Sequence, residues 1–147
     1  MRALTLTQPW AETVVVGLKR VETRSWPAPA SAKGELAIHA GKGWTKEDQR
    51  FAARLWEEDW VKRAPHELPR GEIVAVARLV GCRRTEEVRD RLDRKERFLG
   101  IYGDGRWAWM LADVRVLAVP VPCKGALGLW HVPADVEALV RAQLAGA

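Results

Sequence analysis

The sequence predicts an α+β fold, a small mixed β-barrel flanked by helices, built as a single domain. Three observations lead there. Short strand-like segments are interspersed with helical patterns, without the regular βαβα alternation of a parallel sheet. The segment 71–81 is rich in Val and Ile and reads as a central strand. The 147 residues show no internal repeat, low-complexity tract or linker, so one core has to serve the whole chain. The domain is expected to fill 1–147, with its core over about 4–132 and a C-terminal helix over about 133–145.

Each element has its own signal. Residues 4–7 read as a short first strand. Thr7 can cap a helix with Pro9 in its first turn, where a missing N–H costs nothing. That helix carries Trp10, Ala11, Val14 and Val15 on one face and stops at Gly17. Residues 20–26 alternate as a strand, ended by Pro27 and Pro29. Residues 34–40 follow as another, with Leu36, Ile38 and Ala40 on one side and Glu35, Ala37 and His39 on the other. Thr45 with Asp48 three positions on resembles a capping box and predicts a helix to about Arg63. Residues 85–97 hold five acidic and five basic side chains around Val88 and Leu92, which predicts a solvated helix. Residues 107–111 and 114–121 read as a strand pair, 129–132 as a last strand, and Pro133 as the opening of the final helix.

Composition narrows the class. At 48% apolar and 29% charged residues the chain is globular rather than disordered. No apolar run approaches the ~20 residues of a membrane span, and the first residues lack the apolar stretch of a secretion signal, so a cytoplasmic protein without a membrane partner is expected. Cys82 and Cys123 have no zinc-type spacing and read as small buried residues, with pairing left open. The net charge is +5, and residues 1–45 supply +3 of it, from six Lys/Arg against three Asp/Glu. The basic excess thus falls in the third of the chain that also carries the densest motif.

That motif is Gly17-Leu18-Lys19-Arg20-Val21-Glu22-Thr23-Arg24-Ser25-Trp26. In an extended segment Glu22 and Arg24 share a strand face, and Lys19 lies at the mouth of the preceding turn. A guanidinium fork, a mobile ammonium and a carboxylate acceptor brought together can hydrogen-bond a polar planar ligand. On spacing alone, a cross-strand ion-pair cluster is the simpler account.

The residues around it tilt that balance. Gln8-Pro9-Trp10-Ala11, then Gly17-x-Lys19-x-x-Glu22-x-Arg24-x-Trp26, resembles the signature of the ASCH family, a branch of the PUA-like superfamily whose fold is a small β-barrel flanked by helices. The likeness continues through Gly34-Glu35-Leu36-Ala37-Ile38-His39-Ala40, Gly71-Glu72-Ile73-Val74-Ala75 and Trp107-Ala108-Trp109, and ends at Lys124-Gly125-Ala126-Leu127-Gly128-Leu129-Trp130. It implies an RNA-related binding role, with RNA or a nucleobase-like molecule in a basic, Trp-lined cleft beside 19–24. Some ASCH-like proteins are amidohydrolases of acylated cytidine, using the motif lysine, a hydroxyl residue three positions later and a glutamate on a later strand. Lys19 matches the first. The hydroxyl position is Glu22, and the strand position falls near Ala77, five residues from Glu72. An acid–base role for Lys19 and Glu22 remains conceivable, as does ribonuclease chemistry on the same residues.

Eight tryptophans suit base stacking as well as core packing. Trp10 and Trp26 flank the polar motif and are candidate ligand contacts, as is Gln8 through the resemblance. Trp44, Trp56 and Trp60 read as packing. His39, beside Gly41-Lys42-Gly43, could meet a phosphate or move a proton, with Lys42 in support, although a lone histidine is more often structural. No His/Asp/Glu set has metal spacing and no Gly-rich nucleotide loop occurs, so neither metal nor cofactor is expected. The readings are therefore a binding module first, an enzyme on the same cleft second, and a protein-interaction domain third.

Overall fold

A computed structural model describes all 147 residues. The elements are β1 (Arg2–Leu6), α1 (Trp10–Val15), β2 (Val21–Arg24), β3 (Gly34–Ala40), α2 (Lys46–Glu57), β4 (Glu72–Arg84), α3 (Thr85–Val88), α4 (Arg94–Phe98), β5 (Trp107–Pro122), β6 (Leu129–His131) and α5 (Ala134–Ala145). The strands form one sheet in the order β2-β5-β4-β3-β1-β6, with β1 parallel to β3 and every other pair antiparallel. β2 and β6 are left as edges, so the barrel is a half-barrel.

The two faces of the sheet follow the period-two pattern of the strands. Leu4, Leu6, Leu36 and Ile38 point to one side, where they pack with Ala11 and Val14 of α1, Leu79 and Trp109. Ala3 and Ala37 point to the other, against Ile73, Val76, Leu117, Trp130 and Val140 of α5. Trp109 is fully buried and donates its indole N–H to the Trp26 carbonyl (3.2 Å), with the two rings edge to face.

Five expectations are corrected. The Thr7 side chain does not cap α1. The Thr7 carbonyl accepts from the Trp10 and Ala11 amides (3.0 and 3.3 Å), and Gln8 Oε1 accepts from Glu12 N (2.9 Å), so the capping side chain is one residue later. The Thr45–Asp48 capping box is present, but α2 stops at Glu57 rather than Arg63. Asp59 takes φ 60°, and the Asp59 and Trp60 amides bond back to the Trp56 and Leu55 carbonyls (3.1 and 2.9 Å), a Schellman closure without glycine. Residues 107–122 are one long strand rather than a pair, because both halves add to the same neighbour, β4. A bulge, with Asp113 at φ 50°, absorbs the register change between Val76/Arg115 and Arg78/Ala112. The solvated helix expected over 85–97 is two short helices joined by a tight turn, and its Glu96 is only 3% exposed. Cys82 and Cys123 are both free thiols, half-buried rather than fully buried. No helix is long and apolar enough to cross a membrane.

Candidate functional site

α1 ends where Gly17, at φ +83°, turns the chain, and the Leu18 and Lys19 amides both bond back to the Thr13 carbonyl (3.0 and 2.9 Å). This tight return delivers Lys19 inward and starts β2. The Lys19 ammonium donates to the Leu99 carbonyl (2.8 Å) and stands 3.4 Å from Glu22 Oε1. Glu22 Oε2 accepts from both Nε and Nη2 of Arg24 (2.9 Å each), and Arg24 Nη2 also donates to the Thr5 carbonyl (2.9 Å). The strand alternation thus places Glu22 and Arg24 on one face, and Lys19 closes the network from below.

The network lines a cleft of about 690 Å³. Trp10 and Phe51 supply one aromatic wall, their centroids 5.2 Å apart, and Phe98 to Ile101 supply the opposite wall. That second wall is tied to β2 by three bonds. Besides Lys19 to Leu99, Glu96 Oε1 accepts from Arg20 N (2.7 Å) and Thr23 Oγ1 accepts from Ile101 N (2.9 Å). Glu47 and Asp48, in the first turn of α2, also face the opening. Two cations therefore meet three carboxylates, and the lining is charge-balanced rather than basic.

Burial governs the proton affinities here. It pushes the Lys19 ammonium down from its ordinary value, while Glu22 and Glu96 pull it partly back. Burial pushes the Glu96 carboxyl up, opposed by the Arg20 amide and by Lys19. It also pushes the Tyr102 hydroxyl up, and Glu96 and Glu22 add to that rise. Glu96 Oε2 and the Tyr102 hydroxyl are buried without a protein partner. A lysine whose folded pKa is lowered contributes stability above its unfolded value of 10.5 that is lost as pH falls through the lowered value. The unfolding free energy of the wild type, relative to Lys19→Met, is therefore expected to rise across that interval and then level off. Urea titrations of both proteins at stepped alkaline pH check this; a pH-independent difference would contradict it.

Lys19, Glu22, Arg24 and Trp10 meet in the cleft; the other candidates do not line it. Gln8 is fully buried, with Nε2 donating to the Pro69 carbonyl (2.9 Å) and Oε1 capping α1. Trp26 packs on Trp109 in the core. His39 is 2% exposed, bonded through Nε2 to the Cys123 carbonyl (2.7 Å) and through Nδ1 to Thr5 Oγ1 (3.1 Å), with Trp130 edge-on. Burial pushes its pKa down. Lys42 is exposed and lies along Gly71. Ala77, at the expected strand-glutamate position, is buried in the core. No group of three His, Cys, Asp or Glu residues could hold a metal ion.

The segment 96–101 and Phe51 were missed from sequence. Phe98-Leu99-Gly100-Ile101-Tyr102 is an apolar run directly after the charged one, and that change of composition was the available signal.

A family model of the ASCH domain matches residues 4–121. Activating signal cointegrator 1 of Homo sapiens is 28% identical over 138 residues, and that of Mus musculus 24% over 136. Each alignment covers 91% of this chain but 22% of the relative, so the chain spans about a fifth of the length of these curated relatives. Among solved structures, ASCH from Zymomonas mobilis superposes with a TM-score of 0.59 at 14% identity, over 96% of this chain and 93% of that one. A mutant form of the same Zymomonas mobilis protein gives the same TM-score over 96% of both chains. At such identity the superposition speaks for the fold alone, and the family rests on the model match. With its PUA-like half-barrel and with that match over most of its length, the chain belongs to the ASCH domain family.

Proposed function

We propose that the chain is an RNA-related recognition module whose cleft takes a nucleobase or modified base. One observation carries the reading: Lys19, Glu22 and Arg24 are bonded into a single network beside the Trp10–Phe51 pair in one open cleft. An aromatic wall suits a planar ring, and the network offers both donors and an acceptor to its edge. The base, rather than a phosphate, is the preferred occupant, because Glu47 and Asp48 at the opening would repel an anion.

A screen of modified nucleosides and short RNAs by thermal melting tests this. A ligand present at 100 times its Kd stabilises by about 2.7 kcal/mol, which is about 5 to 10 °C for a domain of this size. Absence of any shift, together with no RNA binding at low salt, would end the reading.

A second reading is hydrolysis of an acylated cytidine. It is favoured by a buried lysine of lowered pKa in contact with a carboxylate. The products expected are cytidine and the free acid. Chromatography after incubation with acylated cytidine distinguishes turnover from binding, and loss of turnover in folded Lys19→Met is required.

A further inference from the structure

A second depression of about 400 Å³ adjoins the cleft and shares Phe98 with it. Arg54 and Glu58 at the end of α2, Trp60, and Arg94 and Lys95 of α4 line it. The aromatic rings run from one hollow into the other without a break. Centroids lie 5.2 Å apart for Trp10–Phe51, 6.0 Å for Phe51–Phe98 and 5.6 Å for Phe98–Trp60. Phe98 is 48% exposed, so it serves the surface rather than the core. Cations stand over the two outer rings: the Arg54 guanidinium 5.5 Å from the Phe98 centroid and Lys95 Nζ 4.9 Å from Trp60.

The two hollows differ in charge. The cleft balances two cations against three carboxylates, whereas Arg54, Arg94 and Lys95 face only Glu58 in the second depression. Arg54 is held by Glu58 (3.1 Å), while Arg94 and Lys95 make no ion pair. Stacking faces followed by unpaired cations are what a single strand needs, because every base offers a π face and every step a phosphate.

We propose that the two hollows form one track for single-stranded RNA. The cleft takes one base, Phe98 and Trp60 stack its neighbour, and Arg94 and Lys95 hold the phosphate between them. The proposal rests on the nucleobase reading of the cleft and adds to it a polymer and the side on which the chain leaves. Lys95 lies over Trp60 in the free protein, and its long stem lets it turn from ring to phosphate with the backbone in place. A duplex is excluded as the natural occupant because its bases stay stacked on one another.

The test compares uridine with hexauridylate, and cytidine with hexacytidylate, on wild type, on R94Q/K95Q and on Lys19→Met. Arg94 and Lys95 lie outside the cleft, so nucleoside binding should survive in R94Q/K95Q. Hexamers should bind wild type at least tenfold more tightly than nucleosides, and this gain should vanish in the double variant. The salt slope should become shallower by roughly 1.4, at about 0.7 per lost phosphate contact. A hexamer that binds wild type no better than the nucleoside overturns the proposal. So does an unchanged affinity and salt slope in R94Q/K95Q. A hexaglutamate peptide that binds and is lost in R94Q/K95Q, where RNA is not, replaces RNA with an acidic protein segment. Lys19→Met reads the cleft separately: hexamer binding that ignores it yet falls in R94Q/K95Q retires the base reading and leaves the track.

Discussion

Glu22→Gln is expected to lower the unfolding free energy by about 3 kcal/mol or more, within the range for breaking one side of a buried ion pair. Glu22 has a side chain 12% exposed and holds two cations at once, Lys19 at 1% and Arg24 at 24%. Glutamine keeps the shape but removes the charge that both cations share. Lys19 would then be a buried ammonium with one carbonyl partner, Leu99, and a like charge nearby in Arg24. The cheapest escape is to release its proton, so the loss should shrink as pH rises. Removing the stranded charge should recover much of it, so K19M/E22Q is expected to be more stable than Glu22→Gln alone. Urea unfolding of the four corners of this cycle, near neutral pH and at a more alkaline one, measures both effects. A loss below about 1 kcal/mol with no recovery would mean that the network does not share its charges in this way.

The second large effect is on ligand rather than stability. Lys19→Met should weaken nucleobase binding roughly tenfold to a hundredfold, the weight of a hydrogen bond from a charged donor. The ammonium has three N–H groups. One is given to Leu99 and one faces Glu22, which leaves one for a ligand in the cleft. Stability should change little or rise. Glu22 keeps both of its bonds to Arg24, and the desolvation cost of a fully buried ammonium disappears. Titration calorimetry with whichever nucleoside stabilises the wild type, paired with a urea midpoint, checks the split. Unchanged affinity in Lys19→Met would remove the ammonium from the recognition site. The two substitutions therefore act on one contact with opposite outcomes, because the carboxylate serves two buried partners and the lysine only one.

Much of this architecture could be read in advance. The face of β3 carrying Leu36, Ile38 and Ala40, the Thr45–Asp48 cap and the Gly17 stop are local patterns, and the structure reproduces them. The Glu22–Arg24 pairing is local too, since alternate residues of a strand share a face. The end of α2 could not be read so, because Asp59 adopts a conformation more typical of glycine. Nor could the single strand β5, whose continuity depends on β4 offering one neighbour to both of its halves.

The candidate site divides along the same line. Local spacing within the 19–24 segment suffices to bring Lys19, Glu22 and Arg24 together, and their chemistry follows from residue type. Spacing does not say what lies opposite them. Leu99 reaches Lys19 across 80 positions and Ile101 reaches Thr23 across 78, through backbone atoms that carry no side-chain signature. Those backbone bonds, with buried Glu96 tying α4 to Arg20, convert a charged strand into one wall of a cleft. The same folding withdraws Gln8, Trp26 and His39 into caps and core, since a buried polar group must find a partner wherever the packing leaves it.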